Sequence, residues 1–266
     1  MIRKVLVPLD GSPLAERALA PAARIAEGVR GGLVLLHAVS PAGWFSMSGS
    51  AFVARERRHS AEHLARLAER LGVRGIGIQE RVVTGEPSRA IVAAAAREGV
   101  DLIAMSSHGR SGSREWAFGS VAERTLRISP RPVLVQRGRA SSNGSIRRVL
   151  LALDDTEKTL GVVPAAADLA EAVGAELVLT HAGRKFPMTV ERARALAKRR
   201  KIACRLRLLA GEPAAAILSA AEEEKADVVA FSVAGRTRHD RLFLGSVAEE
   251  VLRRADLPLL VGRASA

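Results

Sequence analysis

The chain has 266 residues, enough for one large domain or two of ordinary size, and 48% of them are hydrophobic. Aromatics make up only 3% with no Tyr, which argues against a base-stacking platform for single strands, and the single cysteine, Cys204, excludes a disulfide framework or a cysteine-based metal site. The net charge of +13 attracts polyanions, and the start MIRKVLVPLDGS holds no apolar stretch long enough for a signal peptide or membrane span, so a cytoplasmic protein with no membrane partner is expected.

In chain order, VLVPL is a short apolar run of the kind that forms a strand buried on both faces. The segment PLAERALAPAARIAEGV places Leu14, Ala18, Ala22, Ile25 and Ala26 on one helical stripe, ended by Gly31-Gly32. LVLLHAV is a second strand. SPAGWFSMSGSAF reads as a loop in which Trp44 and Phe45 either pack underneath or cover a site. A helix is expected over Ala61–Leu71, followed by the more polar strand IQERVV near a sheet edge. SRAIVAAAAREG is a helix, DLIAM a strand, GSVAERTLRIS a helix and VLVQ a last strand. Alternating strands and helices imply a parallel, doubly wound sheet with right-handed crossovers.

The chain then repeats itself. KVLVPLDGS at 4–12 returns as RVLLALDDT at 148–156, and LVLLHA at 33–38 as LVLTHA at 177–182. TGEPSRAIVAAAAREGVDLIAM at 84–105 returns as AGEPAAAILSAAEEEKADVVAF at 210–231, and FGSVAERTLRISPRPVLV at 118–135 as LGSVAEEVLRRADLPLLV at 244–261. Two α/β domains are expected, 1–137 and a shorter 147–266, joined by the Gly- and Ser-rich RGRASSNGS. Both last strands, PVLV at 132–135 and PLLV at 258–261, are expected to be edge strands that need cover.

In such sheets ligands sit beyond the C-terminal strand ends, where strand order reverses. Asp10, Ala38 and the loop SSHGRSGSREWAFGSVAE after Met105 gather there. Ser120 opens a helix, so its amides and positive dipole end favour an anion. In each half a glycine is followed by nine residues and Gly-Ser: Gly109 with Gly119-Ser120, and Gly235 with Gly245-Ser246. With the Asp that ends each first strand, this spacing resembles a tandem universal stress protein, whose nucleotide-binding members carry G-x2-G-x9-G-[S/T] at this loop. The resemblance covers nearly all of both halves. It implies two flavodoxin- or Rossmann-like five-stranded sheets of order 3-2-1-4-5, related by a pseudo-two-fold. The two last strands would pair with each other, as the family's pair across a dimer axis, with a homodimer as a further step. The resemblance also implies a bound adenine nucleotide such as ATP, with or without Mg.

Carried over by position, Asp10 would accept from the adenine or ribose edge and the backbone at Ala38 would bond the adenine. Pro8 and Leu9 lie beside them. Gly109, Gly119, Ser120 and Val121 would surround the phosphates, with Met105 to His108 shaping the ribose side. The second-half counterparts are Asp154, Ala182, Ser232, Gly235, Gly245 and Ser246. The first motif glycine is Ser106 in one half and Ser232 in the other. A serine there either crowds a backbone that needs positive φ or lends its hydroxyl to a phosphate or ribose oxygen. The second half also exchanges Gly11-Ser12 for Asp155-Thr156, and a carboxylate at 155 would repel phosphate if it faced the crevice. Binding is therefore expected mainly in the first half.

Other features have structural readings. Ser120-x-x-Glu123 and Ser246-x-x-Glu249 match capping boxes. His37 and His181 read as satisfied core residues, and His108 has no partner of the kind a catalytic base requires. Neither a Walker A loop nor a G-x-G-x-x-G after the first strand occurs, and no nucleophile–base–acid set appears, so slow ATP hydrolysis would rest on the family resemblance alone. One charge cluster stands apart: Arg184 to Arg207 holds ten basic residues against Glu191 alone. It is either ordinary solvated helix surface or a face that docks an acidic protein or nucleic acid, in which case the chain would be a nucleotide-free adaptor.

Overall fold

The computed structural model describes residues 1–40, 49–72, 75–107, 119–137, 144–233 and 244–263. The first half runs β1 (Lys4–Pro8), α1 (Pro13–Glu16), α2 (Leu19–Gly28), β2 (Gly32–Val39), α3 (Gly49–Leu71), β3 (Gly77–Thr84), α4 (Pro87–Arg97), β4 (Leu102–Ser106), α5 (Ser120–Ile128) and β5 (Val133–Gln136). The second runs β6 (Arg148–Ala152), a 3₁₀ helix over Glu157–Gly161, α6 (Val163–Val173), β7 (Glu176–Ala182), α7 (Met188–Arg199), β8 (Cys204–Leu209), α8 (Pro213–Glu223), β9 (Val228–Val233), α9 (Ser246–Arg254) and β10 (Leu259–Arg263).

The strands form one sheet of order β3-β2-β1-β4-β5-β10-β9-β6-β7-β8. Each half is parallel with the expected order 3-2-1-4-5. The halves join through β5 and β10, which run antiparallel with Leu134 opposite Leu260. Each last strand thus covers the other's edge, as its apolar sequence requires. The outer edges are β3 and β8, whose charged residues suit an unpaired rim.

A core lies on each face of the sheet, and each core crosses from one half to the other. One face gathers Ile25, Leu134, Leu169 and Leu260; the opposite face gathers Leu126, Val133, Leu252 and Leu259. Helix α2 packs on α6 of the other half at Gly28, where an added Cβ would lie 1.6 Å from the Ala172 carbonyl oxygen. The terminal amino group of Met1 reaches across to Asp168 at 3.0 Å. Helix ends are also exchanged. Arg263 donates to the carbonyls of Leu126 and Arg127 at the end of α5, and Arg137 donates to the carbonyl of Leu252 in the last turn of α9.

Three local features depart from the sequence reading. The first long helix is broken into α1 and α2 around Arg17-Ala18, and its left-handed terminal residue is Arg30 rather than a glycine. Helix α3 starts at Gly49, so residues 49–52 are helical rather than loop; Trp44 and Phe45 lie outside the described residues. Neither capping box forms. The N-cap residues are Gly119 and Gly245, one position earlier, and Glu123 pairs instead with Arg127 at 2.9 Å. No described helix is long and apolar enough to cross a membrane.

Side-chain caps do occur at α4 and α8, where Glu86 and Glu212 accept from the first-turn amides. At Glu86 burial works against ionisation, yet the bonds from Ser88 and Arg89 and the nearby Arg124 charge hold its carboxyl below the ordinary 4.5. Bonds from the Ala215 and Ala214 amides do the same for Glu212. Arginine partners lower Glu98, Glu176, Glu223 and Glu224, chiefly Arg81, Arg205, Arg207 and Arg207 in turn. Carboxylates depressed in the folded state contribute stability that is full above 4.5 and lost as pH falls through their folded values. The urea midpoint is therefore expected to fall between pH 4.5 and pH 3. A flat profile there would show that these bonds add nothing over the unfolded chain.

Candidate functional site

The C-terminal ends of β1, β2 and β4 and the start of α5 enclose a cavity of about 280 Å³. Its position is set by the loop after β1. Gly11 adopts φ +82°, the Asp10 carboxylate accepts from the Ser12 amide at 2.9 Å, and Ser12 caps α1 by accepting from Ala15 at 3.2 Å. Asp10 is thereby held at the mouth by the turn it initiates.

Pro8, Leu9, Asp10, Ala38, Met105, Ser106, Gly119, Ser120 and Val121 all line this cavity, so the structure brings together the first-half residues expected there. His108 and Gly109 lie outside the described residues. Ser107, within the expected Met105 to His108 turn, also lines it, and sequence reasoning missed Ala15, Pro87, Ile91 and Ala122, which complete the wall. Most are apolar residues with helical periodicity, and only the repeat of Glu86-Pro87 as Glu212-Pro213 marked their neighbourhood.

Neither departure from the glycine pattern strains the backbone. Ser106 and Ser232 sit in β4 and β9 and have no positive φ. Gly119 also has ordinary extended geometry, with φ −67° and ψ 147°, whereas Gly245 has φ +92°. A glycine at 119 is thus not demanded by backbone conformation. At the N-terminus of α5 no side chain caps the first-turn amides, and among the described residues the hydroxyls of Ser106 and Ser120 have no partner. Amides and hydroxyls together make this end of the cavity a set of donors beside a positive dipole.

The second half has a smaller counterpart of about 190 Å³. Asp154, Ala182 and Ser232 line it; Gly245 and Ser246 do not, and Gly235 lies outside the described residues. The difference begins at Asp155. With a side chain where the first half has Gly11, the loop takes no positive φ. Thr156 donates to Asp154 at 2.7 Å instead of capping, and a 3₁₀ turn follows that brings Thr159 into the wall where the first half has Ala15. Phe231 replaces Met105. Asp155 itself is exposed and lies outside the cavity wall.

One histidine differs from its expected role. His37 is buried at 8% exposure, but His181 forms part of the second cavity's wall, with Nδ1 2.9 Å from the Leu153 carbonyl. The sequence signal was the residue two positions on, Val39 in one half and Gly183 in the other.

The basic 184–207 segment is not one continuous free face. It divides between α7 and β8, and tertiary neighbours supply acids its own sequence lacks. Arg192 pairs with Glu157 at 2.6 Å, Arg200 with Asp168, Arg205 with Glu176 and Glu224, and Arg207 with Glu223 and Glu224. Among the described residues no group of three His, Cys, Asp or Glu is placed to hold a metal ion.

The universal stress protein family model matches residues 1–137 and 187–263. The universal stress protein YxiE of Bacillus subtilis is 29% identical over 148 residues, 52% of this chain and 100% of that protein. A universal stress protein structure from Archaeoglobus fulgidus superposes with a TM-score of 0.77 at 23% identity, covering 98% of this chain and 96% of that one. A second, from Pseudomonas aeruginosa, covers 98% and 92% with a TM-score of 0.69 at 21% identity. These last two speak to the fold, which spans both halves. With the matched segments in each half and the repeated site geometry, the chain belongs to the universal stress protein family.

Proposed function

We propose that this stress-response protein binds an adenine nucleotide in its first half and acts through nucleotide-dependent conformation or partner contacts. The observation that supports this reading best is the make-up of the 280 Å³ cavity. It joins an apolar slot formed by Leu9, Ile91 and Val121 to unspent donors at the start of α5. A nucleotide has that same division: a flat, weakly polar base and an anionic tail that needs donors. Asp10, held at the mouth, accepts from the base or ribose edge. The described wall supplies one carboxylate, so a Mg ion arriving with ATP would be held mainly by the phosphates and water.

The test is direct. Purified protein is denatured and released nucleotides are identified by mass spectrometry, and ATP is titrated calorimetrically into the emptied protein. Nothing released, together with no heat at millimolar ATP, overturns the reading. The Asp10→Ala variant removes a charge-assisted bond worth roughly 1.5–3 kcal/mol, so ATP affinity is expected to drop on the order of ten- to a hundredfold. Unchanged affinity would place the nucleotide elsewhere.

A further inference from the structure

The sheet ends in two edges, and the second-half edge differs from the first. β8 bonds β7 through its odd-numbered residues: the Leu177 amide donates to the Ala203 carbonyl and the Gly183 amide to the Leu209 carbonyl. Backbone groups alternate in direction along a strand, so Cys204, Leu206 and Leu208 turn their amides and carbonyls outward. Among the described residues no strand lies beyond them. Their side chains point to the α7 face, where Cys204 and Leu206 pack on the core and Leu208 is 41% exposed. Arg205 and Arg207 point to the opposite face, onto Glu176, Glu223 and Glu224. In β3 the matching positions are Ile78, Glu80 and Val82, so a carboxylate stands in mid-strand. There the flanking α3 has 23 residues against 12 in α7, and Val82 is half-buried.

The helix beside β8 carries cations over this edge. Arg194, Lys198 and Lys201 stand at i, i+4 and i+7, on one flank of α7 and its cap. The other flank faces α6, where Arg200 pairs with Asp168. Burial raises the Cys204 thiol and the nearby Arg194 charge acts against it, which puts the cationic flank beside β8. All three cations are exposed. Arg194 reaches Glu191 at 3.8 Å, and among the described residues Lys198 and Lys201 pair with no carboxylate. The left-handed cap of α7, Lys201 at φ +56°, matches Gly72 at φ +53° after α3. Aligned on these caps, α3 has Ala65, Glu69 and Gly72 where α7 has three cations.

We propose that β8 is a docking edge for an extended acidic peptide segment of another protein, which adds to the sheet as a further strand. Its backbone pairs with the outward amides and carbonyls of Cys204, Leu206 and Leu208. Carboxylates on every second residue face Arg194, Lys198 and Lys201. The residues between them meet Arg205 and Arg207, already neutralised, and need no charge. A nucleic acid answers the cations but not the ladder, whose donors and acceptors repeat at the spacing of a strand. A second copy of this chain is also the wrong occupant. Antiparallel pairing of β8 with β8 puts both α7 helices on the same side of the joined sheet, cations against cations.

The test titrates a peptide of alternating Glu and Val into the intact ¹⁵N-labelled chain, followed by NMR and by fluorescence anisotropy of the labelled peptide. The signals are read at β8, at the far end of the sheet from β3, so the outcome is separate from nucleotide binding in the first half. Saturable binding is expected, with shifts and slowed exchange at the Leu206 and Leu208 amides. The same peptide with N-methylated backbone amides keeps its charge but loses the ladder donors, and is expected to bind about tenfold more weakly or worse. Arg194→Glu combined with Lys198→Glu reverses two exposed charges and is expected to weaken binding at least about tenfold. Should the double variant fold poorly, Lys198→Glu, which installs the acid that α3 carries as Glu69, decides alone. A short DNA duplex is expected not to displace the peptide. The proposal is overturned if the Leu206 and Leu208 amides do not respond, if the N-methylated peptide binds equally well, if the duplex displaces the peptide, or if the folded variants bind as the parent does.

Discussion

Replacing Gly28 with alanine is expected to lower the chain's thermal midpoint by several degrees, although alanine is the better helix former. The gain in helix propensity is at most about 1 kcal/mol at a helix end. Against it stands a Cβ placed 1.6 Å from a backbone oxygen, that of Ala172. A backbone atom cannot rotate aside as a side chain can, so α2 and α6 must separate. Both belong to a core shared by the two halves, so the disturbance reaches beyond one helix. Overpacking of this kind costs about 1–3 kcal/mol and sometimes more, and a net loss of about 2 kcal/mol corresponds to roughly 4–8 °C. Gly77, where an added Cβ meets nothing within 4 Å, is the control, and Gly77→Ala is expected to be neutral or slightly stabilising. Calorimetric unfolding of the two variants side by side decides it, and equal midpoints would mean that the helices separate at no cost.

The second large effect is expected from the exchanged arginines. Arg263 ends β10 yet satisfies carbonyls at the end of α5; Arg137 follows β5 and does the same for α9. Each places a cation at the negative end of the other half's last helix, where orphan carbonyls and the dipole both favour it. Burial pushes the Arg137 guanidinium below its ordinary value, and Asp256 offsets part of this. Alanine at either position leaves half-buried carbonyls unsatisfied, a loss of about 1.5–3 kcal/mol for a bond to a charged group. Urea unfolding of Arg137→Ala, Arg263→Ala and the double variant is expected to show two substantial losses. The exposed Arg131→Ala should stay within about 0.5 kcal/mol of the parent. If the single variants behave like Arg131→Ala, the caps are incidental to holding the halves together.

Much of the first-half site was legible because it is built from local signals. Asp10 initiates a turn at the end of a buried strand, Gly11 supplies positive φ, and Gly119-Ser120 starts a helix; each is visible in a few consecutive residues. Ala15, Pro87, Ile91 and Ala122 were not legible as site residues. An apolar position on a helix has the same pattern whether it covers a core or a cavity, and only the packing of three helices over the sheet distinguishes the two. The capping boxes failed for a related reason. Ser-x-x-Glu is a local pattern, but the helix begins where Gly119 leaves its extended conformation, and Arg127 then holds Glu123 on the helix surface.

By itself the sequence determined the tandem repeat and the parallel α/β order of each half, and it marked the two last strands as edges that need cover. Those follow from periodicity, from repeated blocks and from apolar edges that must be covered. Tertiary structure alone decided how the two halves differ. Asp155 in place of Gly11 shifts the turn that brings Thr159 into one cavity, and Gly183 in place of Val39 frees the space into which His181 moves. It also answered four residues of the ten-residue basic run, Arg192, Arg200, Arg205 and Arg207, with Glu157, Asp168, Glu176, Glu223 and Glu224. Those acids lie far away in the chain, and only folding brings opposite charges within the few ångströms over which they bind.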